Sequence, residues 1–387
     1  MNLNLDKSHW KRVAFGDVVR NVNETVRDLK AAGIDRIIAM EHMDPGELKV
    51  SRWGSTEDST TFTRRVKPGQ TLFGKRRAYQ RKVAYAEFDA ICSGDIYTFE
   101  ADETQLLGEL LPFLVQSNGF FEHALGTSAG SLSPRTNWRD LKDFEFDLPP
   151  LDEQKRIADL LWAVERHRLS LLAASEHAEH VRLRWIEAGL PNDVAKTSLG
   201  EGAEIRSGVT LGPARRSMSD KTPYLRVANV QRGALNLAEI KEVGATSAEI
   251  AAKGLKRGDV LVVEGHASVA EIGRAAIWNR DESPLYQNHL FCVRASPLFR
   301  SEFLLEWINS EAGRAYIRTV AKSTSGLNTI NSTVLKAMPV AAASLDQQDE
   351  LLAAVQRIDE GIDALRAEHE SVAQLRASLL AELLGGD

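Results

Sequence analysis

Two stretches of the chain carry apolar residues at alternating steps of three and four, the spacing that lines side chains along one side of a helix. In the later stretch Leu351, Val355, Ile358, Ile362, Leu365, His369, Val372 and Leu379 hold this phase, with Arg376 interrupting it. The earlier stretch has a weaker stripe in the same register: Ile157, Leu161, Val164, Arg168, Leu171, Ser175, Ala178, Arg182 and Trp185. The two are related by a constant offset of 194, since Leu151, Asp152, Gln154, Leu171, Ala173, Glu176 and Arg182 recur as Leu345, Asp346, Gln348, Leu365, Ala367, Glu370 and Arg376 without a gap. Each is predicted to be a helix of about 40 residues, longer than a small domain is wide at about 1.5 Å per residue. A stripe this narrow is a coiled-coil seam, and the two helices are each other's obvious partners; two ordinary core helices are the alternative. Pro149 and Pro150 stop the chain before the first helix, Asp152 is its expected cap, and Gly189 and Pro191 end it. Ser344 and Asp346 open the second helix and Gly385 closes it.

The segments ahead of the helices, 10–150 and 197–340, mix short β-rich runs, turn signals and a few helical stretches, so each reads as an α+β domain. Strands are expected at 36–40 and 90–99 in the first, and at 259–263 and 289–293 in the second. The two match weakly: Lys67-Pro68-Gly69-Gln70-Thr71-Leu72 faces Lys256-Arg257-Gly258-Asp259-Val260-Leu261, and Gly94-Asp95-Ile96-Tyr97 faces Asn288-His289-Leu290-Phe291. The expected architecture is α+β: a globular domain at 1–150, a long helix at 151–190, a second domain at 191–343 and a second long helix at 344–387, the helices pairing antiparallel.

With 43% apolar residues the chain can fill real cores. There is no run of 18 apolar residues and no apolar stretch behind basic residues at the start, so neither a membrane span nor a signal peptide is expected, and the protein is read as soluble and cytoplasmic. Cys92 and Cys292 lie in apolar stretches without paired spacing, which favours buried thiols over a disulfide or zinc site.

A net charge of −6 argues against a polyanion partner until its distribution is read. Residues 152–188 carry −1 and 346–384 carry −6, leaving +1 for everything else. Residues 62–85 hold eight basic side chains and no acidic one, and 205–232 hold six against one. In the first strip Arg64, Arg65, Lys75, Arg76, Arg77, Arg81 and Lys82 surround Tyr79, combining phosphate neutralisation with donors suited to guanine O6 and N7. In the second, Arg206, Arg215, Arg216, Arg226 and Arg232 stand with Asn229 and Gln231, whose amides suit adenine. The alternative for both strips is a solvated basic face. Two polar loops, 127–136 and 322–331, repeat Thr, Ser, Gly and Leu; they are either simple turns or places where backbone approaches phosphate closely.

Enzyme signatures are mostly missing. Neither GxxxxGK[ST] nor GxGxxG occurs. Leu148-Pro149-Pro150-Leu151 lacks the polar residue and the aromatic of an amino-methyltransferase loop, and Glu239-Ile240-Lys241 has no acidic partner upstream that would make it a nuclease motif.

The order domain, proline-ended junction, long helix, domain, long helix resembles the specificity subunits of Type I restriction-modification systems across essentially the whole chain. The most specific stretch, Leu148-Pro149-Pro150-Leu151-Asp152-Glu153-Gln154-Lys155-Arg156-Ile157-Ala158, is similar to the family's PPLxEQxxIA junction. Met338-Pro339-Val340 with Leu345-Asp346-Gln347-Gln348 reads as a degraded copy with a longer loop at 341–344. Residues 13–18, Ser198-Leu199-Gly200-Glu201 and Arg206-Ser207-Gly208 resemble the openings of target-recognition domains. The resemblance implies a non-catalytic subunit in which each domain reads half of a bipartite double-stranded DNA target. The helices would hold the domains apart. The implied partners are two modification subunits, which bring S-adenosylmethionine and methylate adenine, and restriction subunits, which bring ATP- and Mg-dependent translocation and cleavage in bacterial defence. A self-contained methyltransferase or nuclease, and a coiled-coil adaptor, are the competing expectations.

Overall fold

A computed structural model describes residues 6–58, 60–130, 133–189, 195–324 and 326–384. Two compact units emerge, one formed by 1–173 with 366–387 and the other by 174–365. Each contains one globular head and a piece of both long helices. Pro191, Gly385 and the middle of the first polar loop, including Leu132, lie outside the described residues, as does Ser325 of the second loop.

The first head is built on an antiparallel sheet in the order β2 (Val19–Val22), β9 (Ile96–Ala101), β6 (Thr71–Gly74), β7 (Val83–Tyr85). Beside it lies a sheet of β4 (Gly54–Ser55), β3 (Arg36–Ile38), β8 (Ala90–Cys92) and β5 (Arg64–Val66), in which β3 and β8 run parallel. β1 (Lys11–Ala14) pairs with β10 (Glu145–Leu148), whose alternating burial puts Phe146 and Leu148 inside. The expected strand at 90–99 is thus two strands, because Ser93, Gly94 and Asp95 turn the chain between sheets. The expected strand at 36–40 ends at Ile38, where a short helical turn begins two residues later.

The second head repeats this plan. Its main sheet runs β12 (Ala203–Ser207), β19 (Leu290–Ala295), β15 (Asp259–Val263), β17 (Ala275–Trp278). β13 (Lys221–Leu225) lies between β14 (Lys241–Gly244) and β18 (Leu285–Tyr286), the latter parallel. β11 (Lys196–Ser198) pairs with β22 (Pro339–Ala341), and β16 (Gly265–His266), β21 (Leu327–Thr329) and β20 (Lys322–Thr324) form a small antiparallel sheet. The turns ahead of β6 and β15 are alike: Gly69 and Gly258 take φ of 88° and 90°, and the amides of Lys67 and Lys256 donate to Gln70 and Asp259, each at 2.8 Å. A φ near 90° lies beyond the range that side chains ordinarily tolerate and favours glycine, which is why glycine recurs in two otherwise different turns.

The long helices are Leu151–Gly189 and Leu345–Leu384. Their pairing is antiparallel, shown separately in each unit. In the first, Glu165 meets Arg376 at 2.7 Å; in the second, Arg182 meets Asp359 at 2.5 Å. These two ion pairs are one another's copies at the 194 offset. They occupy the stripe's arginine interruptions, so the charged residues breaking the seam are themselves the cross-links. The seam is also shared with the heads. Ile157, Leu161, Leu379 and Leu383 join Phe73, Phe99, Phe113 and Phe120 in the first core, and Ile186, Leu351 and Val355 join Phe303, Trp307 and Val260 in the second.

Sequence expectation fails at three points on these helices. Trp185, assigned to the seam, is 50% exposed, whereas Ile186 is buried. A straight helix drifts by about 20° per heptad from a 3.5 repeat, and here it faces the second head's core. Asp152 lies within the first turn rather than capping it, pairing with Arg156 at 3.7 Å. Ser344 does cap the second helix, its hydroxyl accepting from the Gln347 amide at 3.3 Å. Pro339 is not the copy of the junction prolines: it sits in β22 opposite Ser198, and Ala343 and Ser344 stand where Pro149 and Pro150 do. The loop at 341–344 is therefore no longer than its counterpart.

Candidate nucleic-acid interface

The tip between β6 and β7, residues 75–82, is where the first basic strip and the first polar loop meet. The Lys75 amide donates to the Asp95 carbonyl at 3.0 Å, the Thr136 amide donates to the Lys75 carbonyl at 2.9 Å, and the Arg77 amide donates to Pro134 at 2.8 Å. Arg76 and Arg135 pair as a bridge, and both reach the Asp95 carboxylate, at 3.4 and 3.2 Å. Arg76 also donates to the Ser133 hydroxyl at 2.7 Å. Lys75 lies 4.8 Å from the centre of the Tyr97 ring, with Arg64 on the same ring. Burial, and then the neighbouring Arg64 cation, hold the Lys75 amine below its ordinary range. Cations crowded in this way gain from a nearby anion.

The tip is strained. Among the described residues, Arg77 and Arg81 are the non-glycine residues with positive φ, at 55° and 53°. They bracket a single helical turn that buries Ala78 and leaves Tyr79 56% exposed. Such conformations cost about 1 kcal/mol or more each and persist where the surroundings enforce them. Here the Arg81 guanidinium stacks 4.6 Å over Phe121 and donates to Asn118 at 2.7 Å.

The other residues of the first strip are tied inward. Arg64 donates to the Ile96 carbonyl at 2.9 Å, Lys82 to the Met40 carbonyl at 2.7 Å, and Arg65 is held by Asp89 and Glu24 at 3.0 and 3.2 Å. The side chains facing solvent on one tip are therefore Arg77, Tyr79, Arg81 and, through their shared carboxylate, Arg76 and Arg135. Arg135 and Asp95 escaped sequence reading, although Arg135 lies in a loop already suspected.

The second strip is not gathered in this way. Arg215 chelates Glu249 at 2.6 Å and donates to the carbonyls of Thr210 and Gly244. Asn229 is 3% exposed, its oxygen accepting from the Arg226 amide and its nitrogen donating to the carbonyls of Asn236 and Glu239, so both of its donor hydrogens are already used. Arg226 pairs with Glu239 at 3.1 Å, and Glu239 also meets Lys241 at 3.6 Å, making the Glu-x-Lys motif a surface ion-pair group. Arg206 is engaged by Glu204 and the Ala252 carbonyl. Arg232 donates to Ala270 and Asn309, Gln231 donates to Ala228, and Arg216 is exposed.

What the second head shares with the first is the backbone of the tip. The Glu264 amide donates to the His289 carbonyl at 3.0 Å and the Ile330 amide donates to Glu264 at 2.9 Å. These match Lys75 with Asp95, and Thr136 with Lys75. Gly265 pairs with Thr329 where Arg76 pairs with Arg135, and His266 faces Asn328 where Arg77 faces Pro134. Both polar loops are thus hairpins added to the edge of a strand tip, not isolated turns.

Among the described residues no group of three or more His, Cys, Asp or Glu is placed to hold a metal ion, and no helix is long and apolar enough to cross a membrane. Burial pushes both thiols, Cys92 and Cys292, up to about 12.

The comparisons agree with this architecture. Residues 9–177 match the family described as the Type I restriction modification DNA specificity domain. The specificity subunit of the Type I restriction enzyme EcoKI from Escherichia coli K12 is 24% identical over 324 residues, covering 75% of this chain and 69% of its own. The Type I restriction-modification S subunit of M. genitalium superposes with a TM-score of 0.55 at 15% identity over 100% of this chain and 98% of its own. A chain from a structure describing assembly and conformational transition of the type I R-M system gives 0.64 at 18% identity, with 98% of both chains covered. With two heads on one plan, two paired long helices and a specificity-domain match over residues 9–177, the chain is similar to the specificity subunits of Type I restriction-modification systems.

Proposed function

We propose that this chain is the DNA sequence-specificity subunit of a Type I restriction-modification complex, a non-catalytic reader of a bipartite target. In this reading 1–150 and 191–343 are target-recognition domains and 151–190 and 344–387 are the spacer helices that set the separation of the half-sites. The observation that carries it is one backbone frame built twice with different side chains, which suits two half-sites of different sequence. A single-pocket enzyme gains nothing from that duplication. Two modification subunits would bring S-adenosylmethionine, and restriction subunits would bring ATP and Mg, in the cytoplasm.

The strained tip of the first head would lie against DNA. In the complex co-expressed with its modification subunits, Arg76→Ala with Arg77→Ala should weaken binding and flatten its salt dependence. Each lost phosphate contact lowers the log–log slope by about 0.9. An unchanged slope, with the complex intact, would place the DNA elsewhere.

A further inference from the structure

We propose that the second head reads its half-site through the Glu264–His289 pair on its tip, not through the basic strip at 205–232; this rests on the reading of the chain as a half-site reader. The two heads hold the same backbone hydrogen bonds at this place, yet the side chains have exchanged polarity. Where the first head has Lys75 above Asp95, the second has Glu264 above His289, Nδ1 of the imidazole lying 2.7 Å from the carboxylate. Arg76, Arg77 and Arg135 are replaced by Gly265, His266 and Thr329.

Three observations assign a base-reading role to this pair. Glu264 is partly exposed, at 26% of its side chain, and lines a concavity with His289, Lys322, Thr329 and Asn331. A carboxylate facing a phosphate backbone is repelled, so a reader that places one on its tip must aim it at a base. There its complement is an exocyclic amino group, on cytosine N4 or adenine N6. His289 fixes the carboxylate's direction, as Arg76 and Arg135 are fixed by Asp95 in the first head. Meanwhile Arg215, Arg226 and Asn229 of the strip are spent on Glu249, Glu239 and backbone.

The test uses the full chain assembled with its modification subunits. The wild-type motif is first found by sequencing methylated adenine, and affinities are then measured for duplexes changed at each base of each half-site. Glu264→Gln keeps the shape and removes the charge. Because a glutamine amide pairs with adenine N6 and N7 where a carboxylate only accepts, the substitution should change base preference on the order of tenfold at one position of one half-site, leaving the other half-site and the salt slope unchanged. His289→Ala should relax the same position. An unaltered discrimination profile, a loss spread over both half-sites, or a changed salt slope would overturn the assignment. If E264Q prevents assembly, H289A, on a side chain 52% exposed, decides alone by the same criteria. Absence of any bipartite motif in the wild type would instead remove the reading of the whole chain.

Discussion

Gln154 and Gln348 show how one side chain joins a head to a helix, and how closely the two copies agree. Both are fully buried. Gln154 donates to the carbonyls of Gln105 (2.7 Å) and Pro149 (2.8 Å) and accepts from the Leu107 amide at 2.9 Å. Gln348 donates to Leu298 (3.0 Å) and Ala343 (2.8 Å) and accepts from Arg300 at 2.8 Å. This is the glutamine of the proline-glutamine junction, and its recurrence is explained by three backbone groups that nothing else would satisfy. Gln154→Ala should cost about 3 kcal/mol, since removing the amide strands buried donors and acceptors at about 1–3 kcal/mol each, and Gln348→Ala should cost a similar amount. Urea unfolding of the two variants checks this; a loss below about 0.5 kcal/mol in either would show that water takes over the bonds. At this scale the sequence was legible where identity marked a shared role and opaque where it did not. Asp95 and Arg135 form the centre of the first tip, but one lies in a turn between sheets and the other in a loop 40 residues on. Only folding brings them together.

The long helices were legible as elements because their periodicity spans about ten turns, but their cross-links were not. Arg182 and Arg376 read as interruptions of an apolar stripe; in the structure each crosses to the other helix and touches its own head. Arg182 is shared by Asp359 and Glu306, at 2.5 and 2.7 Å, whereas Arg376 faces Glu165 and Gln116. Glu165 has a second cation in Arg168, at 2.8 Å, itself held by Glu47. Arg182→Met therefore leaves two carboxylates without that cation and should cost about 3 kcal/mol, while Arg376→Met leaves Glu165 still paired and should cost less than half as much. Thermal unfolding of the single variants measures the difference, and equal losses would mean that Arg168 does not compensate. The small strands were harder to place than the helices. Residues 90–99 look like one apolar run until the turn at 93–95 sends its halves to different sheets.

At the scale of the whole molecule, the 194-residue repeat in the helices was legible as a gapless register, whereas that of the heads was visible only in two short motifs. The reason is physical. Helix pairing constrains a side chain every three or four residues, while a shared sheet topology constrains mainly backbone hydrogen bonds, which many side chains can satisfy. Symmetric basic strips were the natural expectation. The structure instead brings Arg76 and Arg77 of the first strip to a tip and engages Arg206, Arg215 and Arg226 of the second with Glu204, Glu249 and Glu239, and the sequence alone carries no signal of that difference. The central claim is that two heads, one backbone frame carrying different side chains, read two half-sites at a distance set by the helices. It is tested most directly by sequencing methylated adenine in cells carrying the modification subunits with this chain, or with a variant lacking 172–178 and 366–372. Those deletions remove one heptad from each helix, preserve the seam phase and shorten each by about 10.5 Å. The account predicts a bipartite motif for the wild type, and for the variant the same two half-sites with a spacer shorter by up to about three base pairs at about 3.4 Å each. An unchanged spacer from a folded, active variant, or a motif without two parts, would contradict it.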